Sequence, residues 1–197
     1  MANSELIASI PFDEGKEIEY YEDRVIFNRN EIFYEDITGY AYSMTSFSQS
    51  VYFIPAYNSK TVTLSFSVGD DTKPISLVVK AEMLSGFHNQ RQADLEVIFS
   101  EIIKITDAIL AQAVLNKLYH RIKQGESLSV AGLIVEEDSI RRKGLFKEKE
   151  LEQYGRTYLR AGQVIVEDGQ GRQFFSVSLG TINAPLLGYL LDALFKE

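Results

Sequence analysis

Two histidines, His88 and His120, are the imidazoles this 197-residue chain can offer to proton transfer or to a metal. Neither stands in an HxxxH or HxH spacing, so a site on either needs carboxylates brought in by the fold. His88 falls in "LSGFHNQRQAD" (84–94), a polar, aperiodic stretch that reads as a loop. His120 stands near the end of a long helical pattern, where the helix dipole favours a charged ring without any further role. There is no cysteine, which excludes disulfides, thiolate nucleophiles and cysteine metal sites. Glu136, Glu137 and Asp138 are a concentrated set of oxygens. A calcium loop, however, spaces its ligands regularly around a glycine bend, and "VEEDSIRR" does neither, so a solvated turn is the plainer reading. "DGQGR" (168–172) and "VAG" (130–132) lack the GK[ST] of a phosphate loop, and "GTINAP" (180–185) lacks the pattern of a nucleophile elbow. No residue is assigned to catalysis, to a cofactor or to a metal, and no cofactor is expected.

The densest basic cluster is Arg141, Arg142 and Lys143. It suits a phosphate or an acidic partner, and these three are the candidate partner-binding residues. The competing role is structural, since charges on a strand also keep a sheet edge from pairing.

These residues must be positioned by strands and two helical segments. "EIEYYEDRVIFN" (17–28), "NEIFYEDITGYAYS" (30–43), "SVYFIPAY" (50–57), "KTVTLSFSVG" (60–69) and "KPISLVVKAE" (73–82) carry strand residues. Val62, Leu64, Phe66 and Val68 alternate with polar residues, the period of a half-buried strand. Turns are expected at Glu22–Asp23, at "VGDDTKP", at Glu137–Asp138 and at "EDGQG". From Asp94 to Gly125 the chain lacks proline and glycine, which predicts one long helix with Asp94 as N-cap and Gly125 just past its end. Its apolar stripe changes face: Ile98, Ile102, Ile105 and Ile109 lie on one side, Val114, Leu118 and Ile122 on another. The helix therefore either kinks near Thr106–Asp107 or touches two separate bodies. Strands resume over 127–144 and 163–179. A terminal helix follows, with Asn183 as its N-cap and Pro185 in its first turn. The order is strands, helix, strands, helix, without βαβ alternation, so antiparallel α+β is expected.

The two halves can be laid over each other. "YEDRVIFNRNEIFYEDITGY" (21–40) parallels "EEDSIRRKGLFKEKELEQY" (136–154) with one gap, matching Tyr40 to Tyr154. "TDAILAQAVLNKL" (106–118) parallels "INAPLLGYLLDAL" (182–194). Several antiparallel strands closed by one amphipathic helix resemble the pleckstrin-homology-like (PH-like) fold of bacterial proteins. "NEIFYEDITGY" resembles its third strand and "INAPLLGYLLDAL" its capping helix. The resemblance implies two tandem PH-like modules of antiparallel sheets or barrels, each closed by a C-terminal helix: residues 1–125 with the long helix, and a smaller module over 126–197. It also implies a binding or scaffolding protein without catalysis. Classical members bind phosphoinositides through a basic first hairpin. The hairpin at Glu22–Asp23 is acidic, and so is its counterpart at Glu136–Asp138, so that role is carried to no residue.

Composition bounds the rest. A net charge of −8 disfavours nucleic acid and strong binding to anionic membranes. No apolar run approaches the roughly 20 residues that cross a bilayer. The N-terminus lacks the basic and apolar regions of a secretory signal, and a cytoplasmic location is expected. A protein or peptide partner leads, with a homo-oligomer as one form of it. The alternatives are a small enzyme with an unrecognised carboxylate site and a peripheral lipid binder. Ile37, Leu151, Leu186, Leu187, Leu190 and Leu194 are expected in the core.

Overall fold

The computed structural model describes residues 4–51, 54–69, 73–84, 90–143 and 147–196. It is α+β with four antiparallel sheets, and it divides into two compact units. The first holds residues 1–37 and 42–109, the second residues 38–41 and 110–197.

Alternating apolar residues build the first unit's strands. Ile10 and Phe12 of β1 (Leu6–Asp13), Ile18 and Tyr20 of β2 (Lys16–Tyr21), Val25 and Phe27 of β3 (Arg24–Phe27) and Ile32 of β4 (Asn30–Phe33) are buried. These four pair in sequence order. β5 (Ile37–Val51), β6 (Ile54–Val68) and β7 (Ile75–Leu84) form a second sheet, in which Val62, Leu64 and Phe66 of β6 are buried as their alternation requires. Phe27 of the first sheet meets Phe66 of the second with ring centroids 5.9 Å apart. Helix α1 (Gln90–Thr106) packs on β1, β6 and β7 through buried Leu95 and Ile102.

The change of helical face is resolved by a π turn at Asp107–Ala111, followed by α2 (Gln112–Lys123). A π turn takes in one extra residue, which rotates everything beyond it by about 100°. The division between the two units falls inside it, at Ile109/Leu110. Leu110, Val114, Leu118 and Ile122 are buried, and α2 packs within the second unit, on the strand that follows it and on the terminal helix. Gly125, at φ 88°, does end the helix: its N–H reaches Ile122 O and the Glu126 N–H reaches Arg121 O. Asp94 is not a cap, because α1 already starts at Gln90.

The second unit repeats the order. β8 (Leu128–Val130), β9 (Leu133–Val135), β10 (Ile140–Arg142) and β11 (Lys149–Glu150) form four strands. β12 (Tyr154–Arg160), β13 (Gln163–Asp168) and β14 (Gln173–Ser178) form three. Helix α3 (Leu187–Phe195) lies on β12, β13 and α2. Leu186, Leu187 and Leu190 are buried as expected, with Ile37 in the first unit and Leu151 in the second. Leu194 is half-buried, since Leu191 takes the inner position as the helix ends.

Three local features depart from the pattern read along the chain. β1 carries no turn signal before it, and it makes Glu14–Gly15, not Glu22–Asp23, the first hairpin turn. The stretch 128–135 is a hairpin rather than one strand, turning on Ala131 and Gly132 at φ 52° and 89°. Two positive φ values suit a tight hairpin, but alanine there gives no turn signal. Asn183, at φ 65°, caps nothing with its side chain. Its N–H reaches Tyr40 O at 2.9 Å and its Nδ2 reaches Thr38 O at 3.3 Å, so it holds the 38–41 segment. Gly39 lies against it so closely that a Cβ would stand 2.6 Å from Asn183 Oδ1.

Candidate binding groove

The three candidate cations share β10 and its end, but the fold separates them. Neighbours on a strand point to opposite faces. Arg141 spends its guanidinium on Glu148, at 2.7 Å, and on Glu136. Glu136 is held below its ordinary value mainly by the Ser139 hydroxyl and then Ser127, with Arg141 adding to them, and Arg141 is pushed up in turn by its bond to Glu136. Lys143 is exposed just beyond β10. Arg142 alone lines a cavity of about 390 Å³.

That cavity is a groove formed by β10, β11, the 151–153 segment, the Asp168–Arg172 turn and the start of β14. The Arg142 guanidinium lies over the Phe174 ring, 5.1 Å from its centroid, an arrangement that holds a cation by the ring's negative face. Its Nε–H is buried and has no acceptor among the described residues. Directly across the β10–β11 ladder from Arg142 stands Lys149. Both cations line the groove, and neither pairs with a carboxylate among the described residues. Like charges opposite one another on a sheet cost stability.

The far wall is already satisfied. Asp168 accepts N–H bonds from Gln170 and Arg172 and the Arg172 Nε at 2.8 Å, and the Arg172 backbone bond is the main cause of its lowered pKa. The groove thus has an internally neutral side and a side with two cations that no described carboxylate pairs with directly. Glu150 and Glu152 line it as well. Lys149, Arg172 and Phe174 were not legible as site residues. Their one signal was the Asp168…Arg172 spacing inside "DGQGR", which reads as a turn.

The other candidates fall elsewhere. His88 lies outside the described residues. His120 is exposed on α2, its ring 6.0 Å from that of Tyr119, and it lines an apolar hollow of about 390 Å³ with Thr38 and Leu118. Glu137 and Asp138 form the exposed β9–β10 turn, and Glu137 pairs with Lys123 at 3.2 Å. Among the described residues no group of three or more His, Asp or Glu is placed to hold a metal. Glu167, which no motif singled out, is buried and accepts bonds from Arg156 and Tyr158, both at 2.8 Å. The Arg156 bond is the larger cause of its lowered pKa, and the trio ties β12 to β13. No helix of the described residues is long and apolar enough to cross a membrane.

The chain was compared with protein-family models, with curated proteins and with solved structures, and none of the three comparisons gave a match.

Proposed function

We propose that this chain is a non-catalytic binding or scaffolding protein, built on two PH-like modules, that engages an acidic segment of a protein or peptide partner. The order of four strands, three strands and a helix, present once in each unit, supports the PH-like reading. The observation that carries the binding reading is the Arg142–Lys149 pair. Two cations face each other across a ladder, line one groove and pair with no carboxylate among the described residues. An incoming carboxylate between them removes the repulsion. β11 is the edge of its sheet, so an extended segment can lie alongside it.

The test is a peptide library with a fixed central Asp or Glu, panned on the wild type and on Lys149→Glu, beside the same library with a central Ala. Enrichment that needs both the acidic residue and Lys149 supports the reading. Equal recovery on wild type and variant overturns it.

A further inference from the structure

From Ile37 to Ser59 the chain carries no Asp, Glu, Lys, Arg or His, although charged residues make up 24% of the whole. The structure places the first part of that stretch on β5, an edge of the β5-β6-β7 sheet. Met44, Thr45, Ser46, Phe47 and Ser48 are exposed in succession, so both faces of the strand meet solvent there. Phe47 is 58% exposed and lies against Tyr57 of β6, with ring centroids 6.2 Å apart. Exposed edges offer a row of backbone donors and acceptors, and folded proteins blunt them with charge, proline or cover. β7, the opposite edge of the same sheet, carries exposed Lys80. The exposed part of β5 carries none of these devices.

We propose that this segment of β5 pairs antiparallel with the same segment of a second copy, making a two-fold dimer. Three features select a second copy over a foreign strand. A two-fold contact sets a strand against itself, so any charge near the axis would meet its own like, and this strip has none. The rest of an acidic surface of net −8 repels another copy, which leaves an uncharged strip as the place where two can meet. The sequence is also complementary to its own reverse. With the axis at Ser46, Met44 faces Ser48 and Thr45 faces Phe47, a large side chain opposite a smaller one in each pair.

The absence of cysteine makes the test clean. Light scattering of the wild type is expected to give twice the 22.3 kDa of the chain, and Ser46→Lys to give the single-chain mass with an unchanged circular-dichroism spectrum. Ser46→Cys is expected to form a covalent dimer under mild oxidation, and Lys80→Cys on the other edge is not. A monomeric wild type overturns the proposal, whether or not it binds vesicles through Phe47. So does a dimer that survives Ser46→Lys, or cross-linking that is equal at both edges.

Discussion

In the first unit, Tyr20 of β2 and Thr106 at the end of α1 share a hydrogen bond of 2.9 Å, and both residues are fully buried. In the second unit, Tyr154 of β12 donates to Asp192 of α3 at 2.5 Å, with Thr157 at 2.9 Å from the same hydroxyl. Lys196 closes on that carboxyl at 2.9 Å, and the Asp192 side chain is 47% exposed. Each unit thus ties a helix to a strand through a tyrosine hydroxyl, one tie dry and neutral, the other wet and charged. The difference lies in what remains when the bond is cut. A buried hydroxyl left alone cannot recover its bond from water, whereas a half-exposed carboxyl can.

The scale for both ties is set by packing. Leu190 is wholly buried on α3, between Leu186 and the helix end. Leu190→Ala removes several methylene-sized groups from a filled space and is expected to cost about 2–5 kcal/mol. Chemical denaturation checks it, and an unchanged midpoint contradicts a core role for that face of α3.

The tyrosines come next. Tyr20→Phe is expected to cost about 1–3 kcal/mol, because it strands the buried Thr106 hydroxyl. Tyr154→Phe is expected to cost about 0.5–1.5 kcal/mol, because water replaces the lost donor at Asp192. Equal losses break the comparison. Alkaline titration checks the Tyr20 tie by itself, since burial and then Asp192 raise Tyr154 as well. Burial pushes Tyr20 up from 10.0 to about 12, so the unfolded chain gives up that proton first. The corresponding stability is whole below pH 10, falls as pH rises toward 12, and is absent from Tyr20→Phe.

The same contrast between packing and polar placement explains what the residue order disclosed. The terminal helix was legible because Leu186 and Leu190 recur at helical spacing and must face one core. The face change near Thr106–Asp107 was legible for the same reason, as a π turn is a local response to a shift in that stripe. The helix end at Gly125 was legible because it is written in local chemistry, while the division of the chain at Ile109/Leu110 depends on which body each helical face meets. β1 was missed although Ile10 and Phe12 alternate with exposed residues, because two buried positions make a short pattern. The groove was legible only in Arg142. Lys149 enters through strand register, and register between two strands is not written in either strand alone. The role of Asn183 is similar: its type suited a cap, and its partners, Thr38 and Tyr40, lie far away in the chain.

The smallest expected effect concerns the basic cluster and lipid. A PH-like reading invites a test for anionic membranes, and the expected result is no measurable sedimentation with anionic vesicles at physiological salt. Each basic residue near such a surface contributes about 1 kcal/mol, so recruitment takes a cluster of roughly four to eight. Of the three adjacent cations, Arg141 is neutralised by Glu136 and Glu148. Arg142 lies on Phe174 in the groove, and Glu150 and Glu152 share that groove with Lys149. Charges that close lie within the Debye length of about 8 Å, so a distant lipid surface meets their sum rather than each cation. The overall charge of −8 opposes approach further. Arg141→Glu is therefore expected to leave vesicle sedimentation at background, while it costs stability through repulsion with Glu136 and Glu148. Sedimentation with anionic but not neutral vesicles, abolished by Arg141→Glu, would show that the cluster acts as a unit. The separation of Arg141 from Arg142 across the two faces of β10 would then not be what decides its partner.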